Sequence, residues 1–76
     1  MNIAICDDEE LIREQMKELI QSQHIKCQID DFDSGAELLA AGQFDIIFLD
    51  IHMDGMNGME TAKALKARED PAVLVF

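Results

Sequence analysis

The sequence predicts an α/β fold, a doubly wound parallel sheet with helices on both faces. Three observations support this. Short apolar runs alternate with stretches whose apolar residues recur at helical spacing. The runs "MNIAIC", "FDIIFLD" and "AVLVF" are apolar at successive positions, as strands covered on both faces are. With 49% of residues apolar, 29% charged, one Pro and four Gly, the composition is that of a folded domain rather than a disordered chain.

Met1 to Cys6 is the first strand, a buried run that stops at acids. From Glu9 onward Leu11, Ile12, Met16, Leu19 and Ile20 keep helical spacing, with Glu9 and Glu10 in the first turn where the helix dipole favours anions. That helix runs to about Ser22. In "IKCQIDDF", Ile25, Cys27 and Ile29 alternate with Lys26, Gln28 and Asp30, the period of a half-exposed edge strand. Ser34 and Glu37 have the spacing of a capping box and open a short helix, "LLAAG", that closes near Gly42.

Ile46, Ile47, Phe48 and Leu49 make the third strand, and Asp50 ends it. After the loop "MDGMNG", the residues Met59, Ala62, Leu65 and the stem of Lys66 support a third helix, with Lys66 and Arg68 near its carboxyl end. "EDP" breaks that helix and "AVLVF" follows as a fourth strand. The order β-α-β-α-β-α-β implies parallel strands joined by right-handed crossovers, with no covering helix after the last strand.

Sixteen acids against six bases give a net charge of −10, which repels phosphate backbones and anionic lipid, so these residues are not expected to bind nucleic acid. The acids cluster at "CDDEE", "DDFD" and "LDIHMD" rather than spreading evenly as a solubilising excess would. No apolar run approaches the ~20 residues of a membrane span, and the amino terminus carries acids where a signal peptide needs bases. A cytoplasmic location is expected. Cys6 and Cys27 lie in strand-like stretches outside any zinc-type spacing and read as buried free thiols.

In open parallel sheets ligands collect at the carboxyl ends of the strands, where Asp7, Asp8 and Asp50 fall. Were the first and third strands neighbours, these carboxylates would lie close together and repel one another unless a cation balanced them. Mg²⁺ takes oxygen ligands of this kind and would also neutralise a phosphoryl group arriving at an aspartate nucleophile. The same residues have a plainer reading: Asp8 a helix cap, Asp7 and Asp50 solvated strand ends, Gly55 and Gly58 turn glycines. The doubled acid favours the first reading, because one acid would suffice for the cap.

The pair "IAICDDEE" and "DIIFLDIHMDGMNGME" together resembles the receiver domain of two-component response regulators over the whole chain, in wording closest to the LytTR group. The resemblance implies a flavodoxin-like parallel sheet of strand order 2-1-3-4, with the first helix on one face and the other two on the opposite face. It implies that Asp50 is the phosphoacceptor, that Asp7, Asp8 and Asp50 bind Mg²⁺, and that His52 adds its backbone carbonyl to the metal. It makes residues 1–76 the amino-terminal part of one receiver domain. The fifth strand, the last two helices, and the family's hydroxyl and Lys positions would all fall after Phe76. The implied partners are a sensor histidine kinase, with Arg13, Glu14 and Lys17 of the first helix as candidate contacts, and an output module outside these residues.

One departure is local: Asp54 stands where receivers usually carry proline, which would loosen the loop and add a charge. A receiver-like interaction module that does not use phosphate is the alternative function. A haloacid dehalogenase-type phosphatase fits poorly, because its D-x-D motif would need an acid where His52 stands and would lie on the first strand. A dinucleotide site lacks its glycines, since "CDDEE" is acidic and Gly55 and Gly58 form no G-x-G-x-x-G. The apolar edge "AVLVF" is expected to invite a dimer through the fourth strand or through other uncovered faces.

Overall fold

The structure, a computed structural model, describes residues 1–53 and 57–76. Its elements follow in the order β1 (Asn2–Cys6), α1 (Glu10–Ser22), β2 (Gln28–Phe32), α2 (Gly35–Ala40), β3 (Ile46–Leu49), α3 (Gly58–Ala67) and β4 (Val73–Val75). The strands form one parallel sheet in the expected order β2-β1-β3-β4. None of the described helices is long and apolar enough to cross a membrane.

Alternation along β1 and β3 sorts the core by face. Ala4, Cys6, Ile47 and Leu49 pack with Leu38 of α2, Leu65 of α3, Phe44 and Met53 in one buried cluster, and Leu74 of β4 lies against it. Ile3, Ile46 and Phe48 point the other way, toward Leu19 and Ile20 of α1. The two faces are unequally sealed. Among the described residues none of α1 is fully buried: Ile12, Met16 and Ile20 are half-buried at four-residue spacing, while Leu11 and Leu19 are 64% and 65% exposed.

Charge supplements this shallow packing. Asp31 of β2 accepts from Arg13 Nε at 2.8 Å and pairs with Lys17 Nζ at 2.7 Å. The bond from Lys17, joined by that from Arg13, holds the Asp31 carboxyl below its ordinary value against the opposing effect of burial. A depressed carboxylate pKa stabilises the fold above the unfolded value, and that contribution is lost as the pH falls through the folded one.

Three sequence expectations shift. β2 starts at Gln28 rather than near Ile25, because β1 starts at Asn2 and Gln28 is its register partner; nothing of β1 extends back to pair with Ile25. Glu9 caps α1 without a side-chain bond, so the helix starts at Glu10. Met59 is 52% exposed, and Thr61 is buried on α3 together with the expected Leu65. The Ser34 cap is present, with Ser34 Oγ accepting from the Glu37 amide at 3.2 Å. Val73, Val75 and Phe76 stay exposed, and a groove of about 300 Å³ lined by Met59, Ala62, Leu65 and Leu74 opens between α3 and β4.

Arg68, just past α3, clamps the ends of two helices. Its guanidinium donates to Leu39 O at 2.8 Å, to Gly42 O at 3.1 Å and to Asp70 Oδ2 at 2.8 Å, and the Asp70 side chain is only 1% exposed. Arg68→Ala should therefore cost about 2 kcal/mol, since hydrogen bonds to charged groups are lost and a buried carboxylate is left behind. Urea unfolding should show a lower midpoint at unchanged slope. A loss under about 0.5 kcal/mol, as for an ordinary surface change, would mean that water replaces the clamp.

Candidate functional site

Register builds the site. Cys6 is the partner of Leu49, so the residues after each strand, Asp7 and Asp50, leave the sheet side by side. The ladder continues one residue further on both flanks of β1: the Asp50 amide donates to Cys6 O at 2.9 Å and the Asp7 amide to Phe32 O at 3.1 Å. Carboxylate oxygens of Asp7, Asp8 and Asp50 lie within 4.8 Å of one another. Asp7 and Asp50 are half-buried and Asp8 is exposed.

Local backbone amides aim two of these groups. Asp7 Oδ1 accepts from the Glu9 amide at 2.9 Å, and Asp50 Oδ1 accepts from the His52 amide at 2.9 Å. Among the described residues no ion pair neutralises Asp7 or Asp50, because Arg13 and Lys17 are engaged with Asp31. Two oxygens on opposite sides of Mg²⁺ stand about 4.2 Å apart, twice its bond length. The three carboxylates therefore fit a hard divalent ion with only small side-chain adjustment. The His52 side chain is exposed. Asp54 and Gly55, which the sequence marked as the proline substitution and a turn glycine, lie outside the described residues.

Two neighbours of the site had no functional reading in the sequence. Gly58, the first residue of α3, approaches the backbone beneath Asp50 so closely that a Cβ there would overlap Asp50 O and sit 2.5 Å from Ile51 Cα. Its place at the start of a helix, rather than at the end where glycine is common, is the signal that could have found it. Asn57 caps the same helix by accepting from the Glu60 amide at 2.9 Å, and buried Thr61 donates to Asn57 O at 2.9 Å.

Cys6 lies directly beneath the acids. Burial first, then the charges of Asp7, Asp50 and Asp33, push its thiol from 9.0 up to about 12. Its proton faces Met53 Sδ at 3.6 Å. Cys6 should therefore resist alkylation by iodoacetamide at pH 8 in the folded protein, and mass spectrometry of the peptides would show this. Because the fold raises this pKa, the native state keeps the proton longer than the unfolded chain does. Stability should then fall as the pH rises from about 9 toward 12. Rapid labelling of Cys6 under native conditions would contradict both statements.

The model of the response regulator receiver domain matches residues 3–76. The chain belongs to this family. Sensory transduction protein LytR of Streptococcus mutans is 37% identical over 81 residues, covering 100% of this chain and 33% of that protein. LytT of Oceanobacillus iheyensis is 35% identical over 80 residues, covering 100% of this chain and 32% of that protein. This receiver thus spans about a third of the length of the curated relatives it matches. Among solved structures it resembles the response regulator TrrA of Thermotoga maritima, determined in complex with Mg²⁺-BeF, at 34% identity and a TM-score of 0.85 over 96% of this chain and 64% of that one. TrrA in complex with the histidine kinase ThkA superposes with a TM-score of 0.82 at 34% identity, again over 96% and 64% of the two chains. The receiver fold and the two-component family expected from the two motifs are therefore those found.

Proposed function

We propose that this receiver accepts a phosphoryl group on Asp50 from the phosphohistidine of a sensor kinase, with Asp7, Asp8, Asp50 and the backbone carbonyl of His52 as the ligands of Mg²⁺. The convergence of three carboxylates at the ends of β1 and β3 carries this reading. In the transfer a carboxylate oxygen of Asp50 bonds to phosphorus as the phosphorus–nitrogen bond to the donor imidazole breaks, the bond's electron pair stays on that nitrogen, and the ring leaves neutral because its other nitrogen carries a proton taken from solvent. The His52 amide, bonded to Asp50 Oδ1, holds the nucleophile in one rotation. When bound, Mg²⁺ supplies the positive charge that lets a phosphoryl group approach three acids.

The reading includes a regulator in which residues 1–76 are the amino-terminal part of one receiver domain and an output module responds to Asp50. Of the three residues of α1 expected at the kinase contact, Glu14 is exposed, while Arg13 and Lys17 are half-buried against Asp31. Glu14 is therefore the better candidate. The assembled acidic cluster disfavours a receiver-like module that ignores phosphate, since such a module has no use for it. Incubating the full-length protein with a small phosphodonor tests the reading. Mg²⁺-dependent label mapped to the peptide containing Asp50 supports it; label that survives chelation or maps elsewhere refutes it.

A further inference from the structure

Arg13 reaches two elements at once. Nη1 donates to the backbone carbonyl of Asp7 at 2.7 Å, while Nε donates to Asp31 Oδ2 on β2 at 2.8 Å. Its side chain is 14% exposed, and the planar guanidinium presents several donors in fixed directions, so both bonds form without bending the group. The same loop is tied by the Asp7 amide to Phe32 O, by its own turn from the Glu9 amide to Asp7 Oδ1, and by Glu9 O, which accepts the first helical bond from the Arg13 amide at 3.2 Å. Lys17 shares Asp31 with Arg13 through Oδ1 at 2.7 Å.

We propose that Arg13 is a positioning residue for the acidic loop, holding the Asp7 carbonyl against β2 so that the carboxylates of Asp7 and Asp8 stay directed at Asp50. The inference rests on the reading of Asp7, Asp8 and Asp50 as the Mg²⁺ site. Arg13 touches neither the metal nor the phosphoryl group; it acts on the peptide unit that carries two of the ligands. Bonds to the partners of a metal ligand commonly set affinity by about ten- to a hundredfold. Because this one grips the backbone of a ligand rather than its carboxylate, the low end applies. A defect in phosphotransfer on changing Arg13 would then reflect metal affinity before it reflects contact with a kinase.

The test is calorimetric titration of Mg²⁺ into the full-length protein, with thermal melts in chelator alongside. Arg13→Ala should raise the Mg²⁺ Kd about tenfold. Arg13→Lys should restore only part of that affinity, since a single ammonium cannot bridge both acceptors. Lys17→Ala should lower the melting temperature yet leave Kd unchanged, because Lys17 pairs with Asp31 and not with the Asp7 carbonyl. Should Arg13→Ala fail to fold, Asp31→Asn, which weakens the far anchor of the guanidinium, should raise Kd severalfold. An unchanged Kd in a folded Arg13→Ala protein, or in Asp31→Asn where that variant decides, overturns the inference. An equal rise in Lys17→Ala also overturns it, because loosening of α1 would then be the cause. A parent protein that binds no Mg²⁺ overturns the reading of the site itself, a separate and recognisable result.

Discussion

Asp50→Asn should abolish phosphodonor labelling and leave the metal-free protein at least as stable as the parent. The substitution keeps the shape of the side chain and an oxygen to accept from the His52 amide, now at 2.9 Å from Asp50 Oδ1, but removes one of three like charges within 4.8 Å. Two such charges at 4 Å repel by about 1 kcal/mol in water and about 4 kcal/mol near a protein surface. With Asp8 exposed and the other two half-buried, the relief belongs nearer the lower figure. In chelator the melting temperature should hold or rise. Saturating Mg²⁺, which should stabilise the parent by RT ln(1 + [L]/Kd), should no longer raise it. Asp7→Asn should likewise lose the Mg²⁺ response. An apo protein weakened by several kcal/mol would identify these acids as structural caps.

Gly58→Ala should destabilise the domain by about 3 kcal/mol, at the upper end of what overpacking costs, and weaken Mg²⁺ binding with it. In an ordinary helix the same change gains up to about 1 kcal/mol. Here the sign reverses, because the new methyl would overlap Asp50 O and lie 2.8 Å from Asp50 C, and a backbone cannot swing aside as a side chain does. Either α3 lifts from the end of β3 or the Asp50 peptide moves, and both disturb the proposed acceptor. Urea midpoints and Mg²⁺ titration measure the two effects, with Met59→Ala as a control because Met59 is exposed. A Gly58→Ala protein as stable as its parent would show that the helix start does not rest against Asp50.

How much of this was legible in the sequence follows from what each signal measures. Ile46 to Leu49 and Ile3 to Cys6 read as strands because both faces of a central strand are covered, and an acid can stand only where the strand leaves the sheet. That logic places Asp7, Asp8 and Asp50 at the carboxyl edge of the sheet. The start of β2 was not legible, because alternation at Ile25 and Cys27 reports the residues and not how far β1 reaches. The phase of α3 misled at Met59, since a ten-residue helix has too few apolar positions to fix its inward face. Arg13 reads in sequence as an exposed candidate for the kinase contact; its bonds to Asp7 O and Asp31 exist only once parallel strands bring "CDD" and "DDF" together. Gly58 could be marked as a turn glycine, but not as the point where a helix meets the backbone of Asp50.

Within residues 1–76 the uneven sealing of the two faces sets an expected order of local opening. The face of α2 and α3 closes over a contiguous core, so its amides open to solvent only when most of the domain does. Within residues 1–76 the α1 face holds its helix by three half-buried apolar residues and by ion pairs to Asp31, so in this chain α1 should detach at a lower free energy than the sheet. Each such excursion takes Arg13 with it and releases the Asp7 carbonyl. Hydrogen exchange along α1 should then serve as a clock for the bond between Arg13 and the Asp7 carbonyl in this chain.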